Sequence, residues 1–155
     1  MESKKVLRLA SVYGKNFKSF INKLLKFKKK GFYPLPIGIE NKKSFLYYKD
    51  LLLFVQSALE LKDSKIYNLA HPEELGYKDV VEVLDEVIKN LSVPIPIPKI
   101  VFQAEKFLRR FAGTKKDPIL KPLFQSVLMD MDESIKNIGI HPQYNLLKGL
   151  MDMGV

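Results

Sequence analysis

Hydrophobic residues recur along the chain in short apolar runs and in stripes at helical spacing. An apolar run at residues 6–10 predicts a strand covered on both faces, and a run at residues 65–69 predicts another. Residues 51–61 are predicted to form a helix that Asp50 caps, buried because it is apolar nearly all round at its start. The handedness of such crossovers makes the two strands parallel if they share a sheet.

Residues 16–30 carry the clearest amphipathic pattern. We expect this helix to begin at Asn16, whose side chain can cap it, and to end at Gly31. Its predicted apolar face consists of Phe17, Phe20, Ile21, Leu24, Leu25 and Phe27. Its predicted solvent face consists of Lys18, Lys23, Lys26, Lys28, Lys29 and Lys30. A helix N-terminus after a glycine turn presents free backbone N–H groups and therefore suits an anionic ligand.

The rest of the chain alternates extended segments with helices. Prolines at alternate positions predict that residues 32–38 and 93–98 are extended and are not central strands. Residues 44–48 are β-prone, and residues 71–76 read as a loop. Helices are predicted at residues 77–90, 99–112, 132–138 and 144–153. A lysine-bearing loop is expected after Gly113, and residues 119–128 carry no assignable pattern.

Composition places the chain among ordinary globular proteins. Its 155 residues suit one domain, 1–155, and 46% are hydrophobic while 28% are charged. Cysteine is absent, which excludes disulfides, thiolate metal sites and a cysteine nucleophile. The first residues show no signal-peptide pattern, and the longest apolar run is too short to cross a bilayer. We therefore expect a cytoplasmic protein with no membrane partner.

The charge balance is less ordinary. Lysine and arginine total 26 against 17 acidic residues, a formal net charge of +9. Such an excess favours anionic partners such as phosphates, nucleic acid or an anionic surface, although solvated lysines explain it equally well. The two histidines, His71 and His141, lack partners at ligand spacing, so we expect no metal. A basic module that binds nucleic acid or an anionic surface, without enzymatic activity, stays open as one function class.

Several short segments, taken in order, resemble a known family. They are residues 7–14 (LRLASVYG), 16–17 (NF), 44–51 (SFLYYKDL), 66–70 (IYNLA), the proline run before Lys99, 126–130, and 138–142 through 147–150. Together they resemble the C-terminal, substrate-binding half of an NAD-dependent epimerase/dehydratase. This family of extended short-chain dehydrogenase/reductases acts on sugar nucleotides and includes UDP-glucose 4-epimerase. The resemblance implies an α/β fold: a partial Rossmann-like edge of two parallel strands with a crossover helix, plus a mainly helical substrate-binding lobe.

The resemblance also implies that these residues do not supply the NAD-binding and catalytic motifs of the family. In the family NAD is held by a glycine-rich fingerprint, and a Tyr-x-x-x-Lys pair catalyses; both belong upstream of the first strand. No Gly-x-Gly-x-x-Gly occurs here, and the one Tyr-x-x-x-Lys, Tyr144 with Lys148, lies in the predicted terminal helix, where we attribute it to chance. We therefore expect no catalytic residue and no NAD bound by this chain alone. The expected partners are a UDP-sugar-like ligand and either a separate N-terminal half or a second copy at an open sheet edge.

The resemblance assigns six residues to substrate binding: Asn16, Leu35, Ile37, Lys43, Phe45 and Lys121. Asn16 matches an asparagine that contacts the nucleotide diphosphate, and Leu35 and Ile37 match residues that flank the base. Lys43, with Phe45 beside it, stands where relatives carry a phosphate-binding arginine, and Lys121 adjoins the position of a second one. The residues themselves leave other roles open: a plain helix cap for Asn16, core packing for Leu35 and Ile37, and a solvated side chain for Lys43.

Overall fold

The computed structural model describes residues 4–113, 118 and 120–155. The strands are β1 (Val6–Leu9), β2 (Ser11–Tyr13), β3 (Phe32–Ile37), β4 (Lys42–Tyr47), β5 (Ile66–Leu69), β6 (Glu74–Gly76) and β7 (Val93–Pro98). The helices are α1 (Phe20–Lys29), α2 (Tyr48–Glu60), α3 (Tyr77–Ile88), α4 (Lys99–Phe111), α5 (Lys121–Phe124), α6 (Asp132–Ile138) and α7 (Leu146–Asp152). No helix in the described ranges has both the length and the hydrophobicity to cross a membrane.

Parallel strand pairs form the framework. β1 pairs with β5 from Val6 opposite Ile66 to Leu9 opposite Leu69, which confirms the predicted parallel pairing. β2 continues the chain after β1 but pairs instead with β4, which also carries the antiparallel β6. β3 and β7 form a separate parallel pair, so their prolines lie on edge strands as predicted. The result is a mixed α/β fold with a partial Rossmann-like edge.

Two clusters of buried side chains hold these elements together. The larger one joins α1, α3 and α7 to β2 and β4, with Leu24, Phe45 and Leu84 among its members. The smaller one packs α2 and α6 against β5, with Phe54 and Leu69 at its centre. The β1–β5 edge therefore packs in the smaller cluster, and the lobe built on α1 and α3 packs in the larger one.

Helix α1 differs from its prediction in its first residue and in the burial of one of its lysines. It begins at Phe20 rather than at Asn16, because the side chain of Ser19 accepts a hydrogen bond from the backbone N–H of Asn22. Asn16 lies in the preceding turn with φ 68°, so its predicted capping role is wrong. Lys28 was predicted to face solvent but is fully buried. Its ammonium lies 2.6 Å from the carboxylate of Asp85 on α3, which makes that burial tolerable.

Helix α2 also departs from expectation. It begins at Tyr48, and Asp50 lies inside its first turn, buried, where its carboxylate accepts hydrogen bonds from the backbone N–H groups of Gln143 and Tyr144. Asp50 therefore anchors a distant segment and does not cap the helix. The prediction of a buried helix is wrong as well, since Leu52 is 61% exposed.

The outer side of β1 is uncovered. Val6 and Leu9 are 42% and 43% exposed, whereas the sequence predicted cover on both faces. Three short elements were missed: β2 follows the predicted strand at 6–10, β6 lies within the predicted loop at 71–76, and α5 lies within the unassigned residues 119–128. The lysine-bearing loop predicted after Gly113 falls largely on residues 114–117, which lie outside the described residues, as does residue 119.

Candidate functional site

A cleft of about 890 Å³ lies where the β1–β2 junction, α1, the β3–β7 pair and the α5 region meet. Its described lining consists of Leu9, Ala10, Ser11, Val12, Lys18, Ser19, Phe20, Lys23, Leu24, Phe27, Phe32, Pro34, Lys43, Ile95, Ile97, Leu120, Lys121, Pro122, Leu123, Gln125 and Val127. Most of these side chains are apolar, and a few polar groups converge among them. That composition is typical of a site for a small organic ligand.

The charged groups of the cleft have one sign. Lysines 18, 23, 43 and 121 line it, and the described lining contains no aspartate or glutamate. Lys18 and Lys23 are exposed and screened by solvent, whereas Lys43 is buried, so the positive field is screened least around Lys43. The cleft therefore favours an anionic ligand over a neutral or cationic one.

Lys43 is the most constrained of these cations. Strand β4 fixes its backbone, and only 6% of the residue is exposed. The segment around Val127 runs beside β4, with its N–H bonded to the carbonyl of Lys42, and this pairing brings Gln125 close. The Lys43 ammonium donates to the carbonyl of Gln125 at 2.7 Å and lies 5.3 Å from the ring centroid of Phe20.

Burial has an electrostatic consequence for Lys43. It lowers the pKa of the ammonium from its ordinary 10.5 to about 8, because the charged form loses hydration. No carboxylate in the described part of the chain forms an ion pair with Lys43. At neutral pH the group is thus mostly charged, poorly hydrated and without a negative partner, which is the state that an anionic oxygen would stabilise.

The N-terminus of α1 adds to this field. Ser19 and Phe20, at the start of the helix, line the cleft, and the first turn contains no acidic residue. The backbone dipoles of a helix place partial positive charge at its N-terminus. Lys23 lies one turn further along on the same side. The helix start and the lysines therefore act in the same direction.

The structure brings only some of the predicted substrate-binding residues together. Lys43 and Lys121 line the cleft. On β3 the lining residues are Phe32 and Pro34, rather than Leu35 or Ile37. Phe45 is 2% exposed and lies in the larger core cluster, and Asn16 is exposed in the turn before α1. The roles assigned to these residues by resemblance stay predictions.

Five polar residues of the cleft were not predicted as ligand-binding: Ser11, Lys18, Ser19, Lys23 and Gln125. Ser11 begins β2, a strand that the sequence did not predict. The sequence placed Lys18 and Lys23 on the predicted solvent face of α1. Periodicity separates polar from apolar positions, but it does not show whether the polar side of a helix faces open solvent or a cleft. Ser19 carried a usable signal, because serine is among the preferred capping residues and here precedes the apolar run of α1. Gln125 had none, since residues 119–128 carry no clear pattern.

A second, smaller concavity of about 410 Å³ is lined by His71, Gln143, Asn145, Leu147, Lys148 and Met151. Burial lowers the pKa of His71, and its Nδ1 accepts from the backbone N–H of Glu73. Within the described ranges, no three potential metal ligands cluster. Tyr144 lies just before α7, which begins at Leu146 rather than at the predicted residue 144, and Lys148 lies in the first turn of the helix. The Lys148 ammonium is 5.0 Å from the Tyr144 ring centroid. This arrangement is a local ring contact.

Comparison with known proteins identifies the fold. No protein-family model matches the sequence, and no curated protein matches it either. Solved structures do match, and they define the class: the chain has the fold of part of the NAD-dependent sugar-nucleotide epimerases and dehydratases.

Three of these structures illustrate the likeness. UDP-N-acetylglucosamine 4-epimerase from Bacillus cereus is 20% identical with a TM-score of 0.70; the match covers 97% of this chain and 45% of the epimerase. UDP-glucose 4-epimerase from Thermotoga maritima, solved with UDP-glucose, is 18% identical with a TM-score of 0.68, and coverage is 94% and 43%. dTDP-glucose 4,6-dehydratase from Bacillus anthracis, solved with NAD, is 15% identical with a TM-score of 0.69, and coverage is 96% and 42%. The chain thus spans less than half the length of these enzymes.

Proposed function

We propose that this chain is the nucleotide-sugar-binding portion of an NAD-dependent sugar-nucleotide epimerase or dehydratase of the extended short-chain dehydrogenase/reductase family. Three observations support the proposal: the fold, the order of the resembling segments, and the cationic cleft. The chain corresponds to the C-terminal half of such an enzyme and forms one substrate-binding unit over residues 1–155.

The observation that carries this proposal is the burial of Lys43 at a cleft whose described lining contains no carboxylate. Burying an ammonium costs free energy unless a negative group accompanies it. A diphosphate supplies that group, and its charge also suits the lysines at positions 18, 23 and 121. The apolar part of the cleft, with Phe27, Phe32 and Pro34, offers surfaces against which a nucleoside packs.

The chemistry divides between this chain and another part of the enzyme. In enzymes of this class NAD accepts a hydride from the sugar. Neither a glycine-rich fingerprint nor an upstream Tyr-x-x-x-Lys occurs in these 155 residues, so the chain binds and orients the sugar nucleotide and does not oxidise it alone. Whether the product is an epimer or a dehydrated sugar depends on residues outside this chain.

The open edge of β1 is where we place the cofactor-binding part. Among the strands of the described residues, β1 pairs with β5 alone, and Val6, Leu9 and Ile66 leave apolar surface uncovered. An exposed strand edge pairs readily with another strand, from a separate N-terminal half or from a second copy. Sedimentation velocity at low micromolar concentration tests this placement. Self-association, or binding of the upstream half, is expected, and a folded monomer that binds neither would contradict it.

Calorimetric titration of the full chain with UDP-glucose tests the function itself. We expect binding by the wild-type chain and by Lys26→Met, which removes an exposed lysine of α1 outside the cleft lining. Lys43→Met is expected to bind at least about tenfold more weakly, because a hydrogen bond to a charged group is lost. Binding of a single-stranded oligonucleotide but not of UDP-glucose, weakened equally by both substitutions, would favour the basic module instead.

A further inference from the structure

Helix α4 presents its apolar side to solvent. Of its residues only Phe102 is buried, stacked on Phe124 of α5 with ring centroids 5.1 Å apart. The large apolar side chains elsewhere on the helix are exposed: Ile100 66%, Val101 45%, Phe107 61%, Leu108 66% and Phe111 79%. At helical spacing these five positions share one arc of about 120°, roughly opposite Phe102. A helix of a globular domain normally turns such an arc toward the core.

The polar positions of α4 are mostly cationic. They include Lys99, Lys106, Arg109 and Arg110, against a single acid, Glu105, whose carboxylate pairs with Arg109 at 2.9 Å. The helix therefore carries a positive polar side next to a Phe- and Leu-rich apolar side. This combination is typical of helices that lie in the plane of a membrane surface, with the apolar side in the lipid and the cations among anionic headgroups.

Other occupants fit this face less well. The cofactor-binding part proposed above would extend the sheet at β1, which belongs to the smaller core cluster, whereas α4 packs mainly on β7 and α5. A second copy would place the same cations against each other, in a chain with a net charge of +9. Nucleic acid would neutralise the cations but would leave the five apolar side chains uncovered.

We propose that α4 docks this chain on the surface of a membrane that contains anionic lipid. The apolar arc enters the headgroup–acyl boundary, and Lys99, Lys106 and Arg110 contact lipid phosphates and carboxylates. From the sequence alone we expected no membrane partner, because the longest apolar run is too short to cross a bilayer, a reason that does not bear on a helix lying at the membrane surface. The exposure of the apolar arc in the structure is the new observation, and it does not depend on what the cleft binds.

Flotation of the full chain with vesicles tests the proposal. We expect binding to vesicles of phosphatidylcholine with phosphatidylserine, weaker binding to phosphatidylcholine alone, and loss of binding at high salt. Replacing Leu108 and Phe111 with serine should reduce partition roughly tenfold or more, since two apolar side chains no longer enter the lipid. The matched control is Leu59→Ser, which removes from α2 a leucine that is 75% exposed, against 66% for Leu108, and should leave binding unchanged.

Three results would overturn the proposal. The first is no binding of the wild-type chain to phosphatidylserine vesicles. The second is equal binding by the α4 double variant, shown by circular dichroism to be folded as the wild type is. The third is self-association that the α4 substitutions abolish while vesicle binding is absent, which would assign the face to a second copy.

Discussion

Replacing Lys43 with methionine should affect ligand binding and stability in opposite directions. Methionine keeps an apolar stem and removes the ammonium, which lies over the Phe20 ring and which the proposed diphosphate would contact. If the role of Lys43 is to bind the ligand, its buried ammonium should lower the stability of the ligand-free protein. Its replacement should then stabilise the free protein and weaken the complex.

The structure sets the size of both effects. The pKa of Lys43 is lowered from 10.5 to about 8, which means that the folded state disfavours the charged form. With allowance for solvent screening at the cleft, we expect Lys43→Met to raise the free energy of unfolding by about 1 kcal/mol. The lost charged hydrogen bond to phosphate should weaken UDP-glucose binding by about 1.5–3 kcal/mol, or roughly ten- to a hundredfold.

Urea unfolding and calorimetry on the same samples measure the two effects. The stability difference also has a defined pH dependence. Between the folded-state pKa of about 8 and the ordinary 10.5, the unfolded chain binds a proton that the folded chain does not. Stability of the wild type therefore rises with pH in this window, and the advantage of the methionine variant should be largest below pH 8 and shrink above it.

One pattern of results would refute this reasoning. If Lys43→Met destabilises the protein by several kcal/mol and leaves UDP-glucose affinity unchanged, then the lysine acts mainly as an anchor for the Gln125 carbonyl. Lys43 would then not be a residue through which the cleft binds an anion.

Three further predictions concern other parts of the molecule. Gly149→Ala should destabilise the protein by about 1–3 kcal/mol in urea unfolding, because the new Cβ would lie 2.9 Å from Cζ of the buried Tyr13 ring. Asp85→Asn should cost about 2–3 kcal/mol, since it leaves the buried Lys28 ammonium unpaired, whereas Lys28→Met should be nearly neutral. UDP-glucose affinity should fall by up to about tenfold per pH unit once the pH exceeds about 8, as Lys43 loses its charge.

Each of these has its own control. Met151→Ala changes an exposed residue on the same helix as Gly149 and should leave stability within about 0.5 kcal/mol. Equal costs for Asp85→Asn and Lys28→Met would show that Lys28 gains nothing from its pairing. For the pH series, Lys43→Met should show a much flatter affinity profile, and a profile as steep as that of the wild type would assign the titration to another group.

The framework of the fold was predictable because it depends on local patterns. The apolar runs at β1 and β5 and the stripes of α1 and α3 each specify an element, and the crossover rule then orients the strands. The buried charged residues, which the sequence did not predict, depend on contacts between elements that are distant along the chain. Lys28 is buried because α3 brings Asp85 to it, and Asp50 is buried because residues 143 and 144 return to it from nearly a hundred positions away. Neither partner is visible in local periodicity.

The candidate site was predictable in part for the same reason. Lys43 and Lys121 were assigned by resemblance, and both line the cleft. Lys23 was missed because periodicity marks it as polar without showing that the polar side of α1 borders a cleft. The exposure of the apolar side of α4 could not be predicted either, since the helical pattern does not show whether neighbouring elements cover that side.

The most direct test of the central claim is a map of amide chemical-shift changes when UDP-glucose is added to the full chain. The account predicts changes concentrated at Ser19, Lys43, Gln125 and the neighbouring cleft residues, with α4 unaffected. Absence of any change at saturating ligand, or changes confined to residues outside the cleft, would contradict the claim that this fold binds a sugar nucleotide there.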